Sequence, residues 1–273
     1  DGSDATNLSD DPGADYFPVW SHNGTKIAFM TDREGGPPIL AADPRLILPM
    51  LNVEIFVMDA DGSDQKNLTD HIAWDGYPTW SPDGLRIAFE TDRDDGGIVI
   101  TGIIPGDLDR EIYVMDSDGT DPLRLSNSPQ DDVNPVWSPD GAKIAFESYR
   151  DGNAEIYVMN PDGTGQLRLT THPDGDTMPG WSPNGNWITF HSGRDGNTEI
   201  YKMTSAGASL TRLTNALDVD WGPSWSPDGS QIVFQSGRDG NLEIYRMNAD
   251  GTSLLRLPDD LLTGFEITPS VWM

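Results

Sequence analysis

A Pro-x-Trp-Ser signature recurs five times in this sequence of 273 residues, at Pro18–Ser21, Pro78–Ser81, Pro135–Ser138, Pro179–Ser182 and Pro223–Ser226. Its tryptophans, Trp20, Trp80, Trp137, Trp181 and Trp225, lie 60, 57, 44 and 44 residues apart, so a short unit underlies the chain and two copies carry insertions. A fixed period of this size marks a repeat architecture, in which one unit cannot bury its apolar faces alone and stacked neighbours build the core.

Each unit reads as four strands. The first is the Pro-x-Trp segment, followed by a tight turn at Ser81-Pro82-Asp83-Gly84 and its counterparts at 138–141, 182–185 and 226–229. Proline presets φ, and Asp or Asn followed by Gly tolerates positive φ, which is hairpin chemistry. The second strand is Ile-Ala-Phe-like (Ile27–Phe29, Ile87–Phe89, Ile144–Phe146, Ile188–Phe190, Ile232–Phe234) and leads into Arg-Asp-Gly-Asn connectors such as Arg150–Asn153, Arg194–Asn197 and Arg238–Asn241. The third is Glu-Ile-Tyr-x-Met, at Glu111–Met115, Glu155–Met159, Glu199–Met203 and Glu243–Met247, with Glu54–Met58 in the first unit. An Asp-Gly turn then leads to a fourth strand ending like Leu167–Thr170. With 29 Gly and 21 Pro the chain suits many short strands and not long helices. Four-stranded antiparallel units repeated radially describe the blades of a β-propeller, an all-β fold. The repeated Trp and Tyr are assigned to packing between blades, and the repeated Arg and Glu to blade-to-blade hydrogen bonds.

The Trp-Ser-Pro-Asp-Gly and Glu-Ile-Tyr-Val-Met-Asn-x-Asp-Gly motifs resemble the TolB-type propeller repeat, also called the PD40 or WD40-like repeat, over nearly the whole chain. The resemblance implies a fold, and with it a periplasmic or extracellular location. The same repeat occurs in surface proteins and in the gating domains of prolyl-oligopeptidase-like and tricorn-type peptidases, so fold alone does not choose a function.

The two ends read as parts of a further blade. Asp1–Ser9 parallels Asp61–Thr69, an outer fourth strand, whereas Thr268–Trp272 resembles an inner first strand. The expected domain is one propeller over residues 1–273: 1–16 outer strand of a closing blade and connector, 17–74 blade one, 75–131 blade two, 132–175 blade three, 176–219 blade four, 220–258 blade five, and 259–273 the inner strand of the closing blade. This is six-bladed geometry with an incomplete sixth blade; the alternative is five blades with two loose ends. No secretory leader opens the sequence, so any such segment was removed or never existed.

In an up-and-down meander, the fourth-to-first and second-to-third connections share one face. That face receives both insertions, Gly36 to Asn52 and Asp94 to Arg110, and loops on a rigid scaffold commonly carry function. The fourth-to-first connectors also hold an acid three residues before each signature Pro: Asp15, Asp75, Asp132, Asp176 and Asp220, with Glu266 before Pro269. Facing a shared axis, such acids must bind protons, recruit cations or face water. A hard cation takes oxygen ligands, so calcium is the expected occupant, with Na⁺ or Mg²⁺ as alternatives. The competing reading has each Asp capping its own connector. The partner face is assigned to Tyr16, Trp74, Tyr77, His71, His172 and Trp221, with Phe17 beside them.

A formal net charge of −28 repels nucleic acid and anionic membranes and favours cations or basic partners. The absence of cysteine excludes disulfides and thiolate chemistry, and no run reaches the length of a membrane helix. No Gly-x-Ser-x-Gly, His-Glu-x-x-His or phosphate-binding Gly-Lys-Ser/Thr motif is present. His71 and His172 stand at equivalent places, but no third histidine completes a transition-metal site. The reading is a non-catalytic propeller that binds calcium in an acidic tunnel and a protein or small molecule on its insertion-bearing face. The alternatives are the accessory propeller of a larger hydrolase or peptidase, and a stand-alone polysaccharide lyase or glycosidase.

Overall fold

The signature turn makes the hairpin that starts every blade. In the second unit Gly84 N donates to the Ser81 carbonyl (2.8 Å), the Ser81 hydroxyl and Leu85 N donate to Asp83 Oδ1 (2.5 and 3.0 Å), and Gly84 takes φ +70°, which only glycine adopts freely. Asp140 and Asp228 close the same turn in the third and fifth units. The computed structural model describes residues 6–33, 39–40, 47–48, 53–95 and 109–257.

These turns connect five four-stranded antiparallel sheets. Blade one comprises Asp15–Trp20, Lys26–Thr31, Glu54–Asp59 and Lys66–Asn67. Blade two comprises Asp75–Trp80, Arg86–Thr91, Glu111–Asp116 and Leu123–Arg124. Blade three comprises Asp132–Trp137, Ile144–Ser148, Glu155–Met159 and Leu167–Arg168. Blade four comprises Asp176–Trp181, Trp187–Ser192, Glu199–Thr204 and Thr211–Arg212. Blade five comprises Asp220–Trp225, Gln231–Ser236, Glu243–Asn248 and Leu255–Arg256. Within each blade the strands follow chain order from first to fourth, so the fold is an all-β propeller of four-stranded blades.

Five blades are described, as in the five-bladed alternative; six-bladed geometry gains no support. Residues 6–14, expected to include the outer strand of a closing blade, form no strand, because an outer strand needs a third strand beside it for its ladder. Residues 1–5 and the expected inner strand over 259–273 lie outside the described residues. Of the first insertion, Ile39–Leu40 pairs with Ile47–Leu48 as a small hairpin; residues 96–108 of the second also lie outside.

The chain divides into two compact units, residues 7–135 and residues 1–6 with 136–273. In the first, Ala28, Ile55, Val57 and Leu68 of blade one meet Trp80, Ile87, Phe89, Tyr113 and Met115 of blade two. Trp80 Nε1 also donates to the Val19 carbonyl of blade one (3.2 Å). In the second, Ala145, Ile156 and Val158 meet Ile188, Phe190, Tyr201 and Met203, and Ile200 and Leu213 meet Trp225, Ile232, Phe234, Tyr245 and Met247. Trp80, Tyr113, Tyr201, Trp225 and Tyr245 therefore pack between blades, as expected.

The repeated Arg and Glu do not. Glu111, Glu155 and Glu199 are buried and accept from Arg124, Arg168 and Arg212 of their own fourth strands at 2.7, 2.7 and 2.8 Å, and Arg93, Arg194 and Arg238 hold the first-strand acids of their own blades. The partners sit on adjacent strands of one sheet, within reach of one extended arginine. The expected blade-to-blade bonds are thus intra-blade bonds.

The Asp-Gly turns make a separate contact between blades. Gly251 (φ +87°) lies on the neighbouring blade, where a Cβ would come 2.8 Å from the Leu213 carbonyl, whereas Gly240 (φ +92°) has open space around it. Gly240→Ala should cost about 1 kcal/mol, the backbone term alone. Gly251→Ala should cost about 1–3 kcal/mol more through overpacking, as read by urea denaturation. Equal losses would show that the turn does not pack on the next blade.

Candidate functional site

Each first strand breaks its ladder next to the signature proline, which has no N–H to donate. The register slips between Tyr16 and Val19, Gly76 and Thr79, Thr177 and Gly180, and Trp221 and Ser224. The residue before each proline takes positive φ: Phe17 +48°, Tyr77 +49°, Asn134 +52°, Met178 +53° and Gly222 +63°. Four of the five are not glycine, so the bulge holds strained backbone, and bulges of this kind re-aim side chains.

Within residues 7–135 the bulges gather aromatic rings. Phe17 and Tyr77 lie with centroids 4.3 Å apart and planes tilted by 41°, and Trp74, on the connector into blade two, lies 6.1 Å from Tyr77. Gly76 makes room for the indole, since a Cβ there would come 2.5 Å from the Trp74 ring. Trp74 N donates to Asp92 Oδ1 (2.9 Å), which fixes the connector. The three rings are half-buried and present apolar faces at the entry to the first strands.

A charged network borders this platform. The Arg110 guanidinium lies over the Trp74 ring at 5.6 Å and donates to Glu90 Oε1 and Asp131 Oδ2, both at 2.7 Å. Arg110 N donates to Asp131 Oδ1 (2.9 Å), so the end of the second insertion is fastened at two points. Glu90 Oε2 accepts from Asn134 N (2.6 Å), the strained residue of the next first strand. Burial pushes the Glu90 carboxyl up to about 7, and the Asp131 charge adds to the rise, against the pull of Arg110 and the Asn134 N–H. The same second-strand position holds Glu147 in blade three, accepting from Met178 N (2.6 Å), and His191 in blade four, near Gly222 N (3.4 Å). Burial drives His191 down to about 4, so it is neutral, with Nε2 2.5 Å from Thr177 Oγ1. The cluster offers ring faces, a cation and carboxylates, and contains no activated nucleophile.

The expected partner-face residues divide. Trp74 and Tyr77 come together with Phe17. Tyr16 and Trp221 stay on their ladders, opposite Met30 and Gln235. His71 Nδ1 accepts from Ala73 N (3.0 Å) and His172 Nδ1 from Asp174 N (3.2 Å), so each imidazole closes a turn of its own connector.

The acids expected to hold calcium are partnered by arginine. Asp75, Asp176 and Asp220 are fully buried and pair with Arg93 (2.9 Å), Arg194 (2.6 Å) and Arg238 (2.7 Å); half-buried Asp15 pairs with Arg33 (2.8 Å). Asp132 is buried in the same place, and Glu266 lies outside the described residues. Burial raises the Asp75 carboxyl above the ordinary aspartate range, against the pull of Arg93. Among the described residues no three His, Asp or Glu side chains gather as a metal site requires. The capping role falls to other acids: Asp32 Oδ1 accepts from Ala14 N (2.7 Å), Asp92 from Trp74 N and Asp131 from Arg110 N.

Sequence reasoning missed Glu90, Arg110 and Asn134. The available signal was the residue after each second-strand Phe, which reads Met30, Glu90, Glu147, His191 and Gln235 in an otherwise constant strand.

Two family models match parts of the chain: the TolB beta propeller domain over residues 173–263 and the Tricorn protease N-terminal beta propeller domain over residues 107–199. A protein TolB homolog of Chlorobium chlorochromatii is 32% identical over 157 residues, 46% of this chain and 32% of that protein. The match thus spans about a third of that relative's length. The structure of putative TolB from Agrobacterium tumefaciens aligns with a TM-score of 0.71 at 24% identity, over 90% of this chain and 80% of that one. An oligogalacturonate lyase in complex with manganese aligns with a TM-score of 0.62 at 16% identity, over 89% of this chain and 77% of that one. At these identities the structural likenesses show the fold alone.

Glu90 carries a pH signature. Its folded-state value lies above that of the unfolded chain, so its contribution is fully present below the unfolded carboxyl value and is lost as pH rises through about 7. Stability measured by urea denaturation should therefore fall from pH 5 to pH 8. In Glu90→Gln, which keeps an acceptor for Asn134 N, the fall should be smaller. Identical profiles for the two proteins would contradict the buried, proton-linked carboxyl.

Proposed function

We propose, from the premise that the chain is a TolB-like β-propeller of PD40 repeats, that it works as a non-catalytic binding module. It takes a protein segment on the platform of Phe17, Trp74 and Tyr77. The observation that carries this reading is the gathering of three half-buried, mutually tilted aromatic rings beside Arg110. Tyr, Trp and Arg are the side chains that dominate protein interfaces, because they give large rigid contact area at low entropic cost. Each ring is held by a bulge or a glycine seat, so little ordering is left for binding to impose. With a net charge of −28, segments carrying Lys or Arg associate fastest. The TolB likeness supports a periplasmic or extracellular setting.

A second reading, the accessory propeller of a larger peptidase, is supported by the match of residues 107–199 to the Tricorn N-terminal propeller. A protease or hydrolase domain on the same polypeptide in its native host would favour it. The lyase reading has only a distant fold likeness behind it, and His71 and His172 serve their own turns.

Selection from a displayed random-peptide library should return binders enriched in aromatic and basic residues. Trp74→Ala or Tyr77→Ala should weaken them at least tenfold, about 1.4 kcal/mol or more. Binders indifferent to both substitutions would overturn the assignment of the platform. Cleavage of oligogalacturonate in the presence of manganese would overturn the non-catalytic reading.

A further inference from the structure

Trp74, Arg110 and Asp131 stand where the other blades carry unrelated residues. The place of Arg110, just before the third-strand glutamate, holds Val53, Ala154, Thr198 and Leu242. The place of Trp74 and Asp131, just before the first-strand aspartate, holds Ala14, Gly175 and Val219. The other blades fold without these side chains, so their charges belong to this edge and not to the scaffold.

Here two carboxylates share one guanidinium. Arg110 donates to Glu90 Oε1 and Asp131 Oδ2, both at 2.7 Å. The set is neutral while one carboxyl holds a proton, and carries one negative charge when both are ionised. The two acids differ in access. Glu90 is buried and its Oε2 is closed off by Asn134 N (2.6 Å), whereas the Asp131 side chain is 26% exposed. A cation arriving from solvent therefore meets Asp131, and Glu90 is the acid that keeps a proton, since burial pushes its carboxyl up to about 7. Its ladder neighbours, Gly76 on the first strand and Ile112 on the third, do not titrate. Among the described residues the charged groups that face it are Arg110 and Asp131. Arg110 lies over the Trp74 ring at 5.6 Å, so this set adjoins the aromatic platform.

We propose, resting on the reading that the platform seats a protein segment, that a lysine or arginine of that segment docks on Asp131 and that Glu90 gives up its proton as this cation arrives. The charges balance. With Glu90 neutral, Arg110 is offset by Asp131 alone. When the partner's cation takes up Asp131, two cations would face one carboxylate, and a partly buried charge left unpaired is costly. Ionisation of Glu90 supplies the second anion: one cation enters, one proton leaves to solvent, and the set stays neutral. The segment binds the form with Glu90 ionised, so its affinity is highest above about pH 7 and falls as Glu90 takes its proton back.

The probe is the peptide Trp-Lys-Trp-Arg-Tyr, capped at both ends, whose side chains titrate at about 10 or above and so hold their charge near neutrality. Calorimetry on the full chain, in buffers of different ionisation enthalpy, reads affinity and proton release together. Affinity should rise about fivefold or more from pH 6 to pH 8, with release of up to about one proton per peptide at pH 6. In Glu90→Gln both effects should vanish. Norleucine for Lys and citrulline for Arg in the peptide leave the protein untouched and should also abolish proton release. Asp131→Asn should weaken binding about fivefold or more at pH 8. Binding that Trp74→Ala removes, but that neither pH nor Asp131→Asn alters, leaves the platform standing and overturns this proposal. Proton release that persists with the uncharged peptide overturns it too, as does release that persists in Glu90→Gln, which would belong to His71 on the Trp74 connector. No binding at either pH overturns the platform reading and this proposal together.

Discussion

Every blade is organised around one arginine that leaves the end of its second strand. Arg33, Arg93, Arg150, Arg194 and Arg238 each lie over the ring of a second-strand Phe and a third-strand Tyr or Phe, at 4.7 to 5.9 Å from the centroids. A guanidinium cannot shed its proton, so a site that buries it must supply an anion. The first-strand aspartate supplies it in blades one, two, four and five. Its partner follows it by 18 residues, so the pair clasps the first strand to the far end of the second. Thr31, Thr91, Ser148, Ser192 and Ser236 hold the arginine Nε from the second strand. Taking away either charge leaves the other buried and unpaired, which costs far more than the intact pair contributes.

This clasp explains what the sequence showed and what it hid. The turns, the strands and the inter-blade role of Trp80, Trp225, Tyr113 and Tyr245 were legible because each depends on local chemistry repeated in every unit. The acids were legible as a series but not as partners of arginine. Their charge pattern alone fits a cation, a cap or an ion pair equally well, and only the fold brings residues such as Asp176 and Arg194 together. The positive-φ bulge was hidden because Phe17, Tyr77, Asn134 and Met178 carry side chains where only Gly222 declares the need for it. A further blade was expected because both termini resemble strands; residues 6–14 form none, and 259–273 lie outside the described residues. Residues 7–10 keep only a turn in which Asn7 Oδ1 accepts from Ser9 N and Asp10 N.

Beside the clasp, which four blades share, the connector edge varies from blade to blade. The residue after each second-strand Phe changes from Met30 to Glu90, Glu147, His191 and Gln235, and it meets the bulge of the following first strand at Asn134, Met178 and Gly222. Blades one and two add bulky rings at the bulge and a fastened insertion end at Arg110. This variation at the connector edge is what supports the proposed binding role. The carboxylates it displays are committed to structure first.

The aspartate and arginine of a blade act as one unit. A double-mutant cycle on Asp176→Asn and Arg194→Met, read by urea denaturation, measures it most directly. Each single change should be strongly destabilising and the double mutant should lose much less than their sum, with a coupling of about 2 kcal/mol. Additive losses, with a coupling near zero, would contradict it.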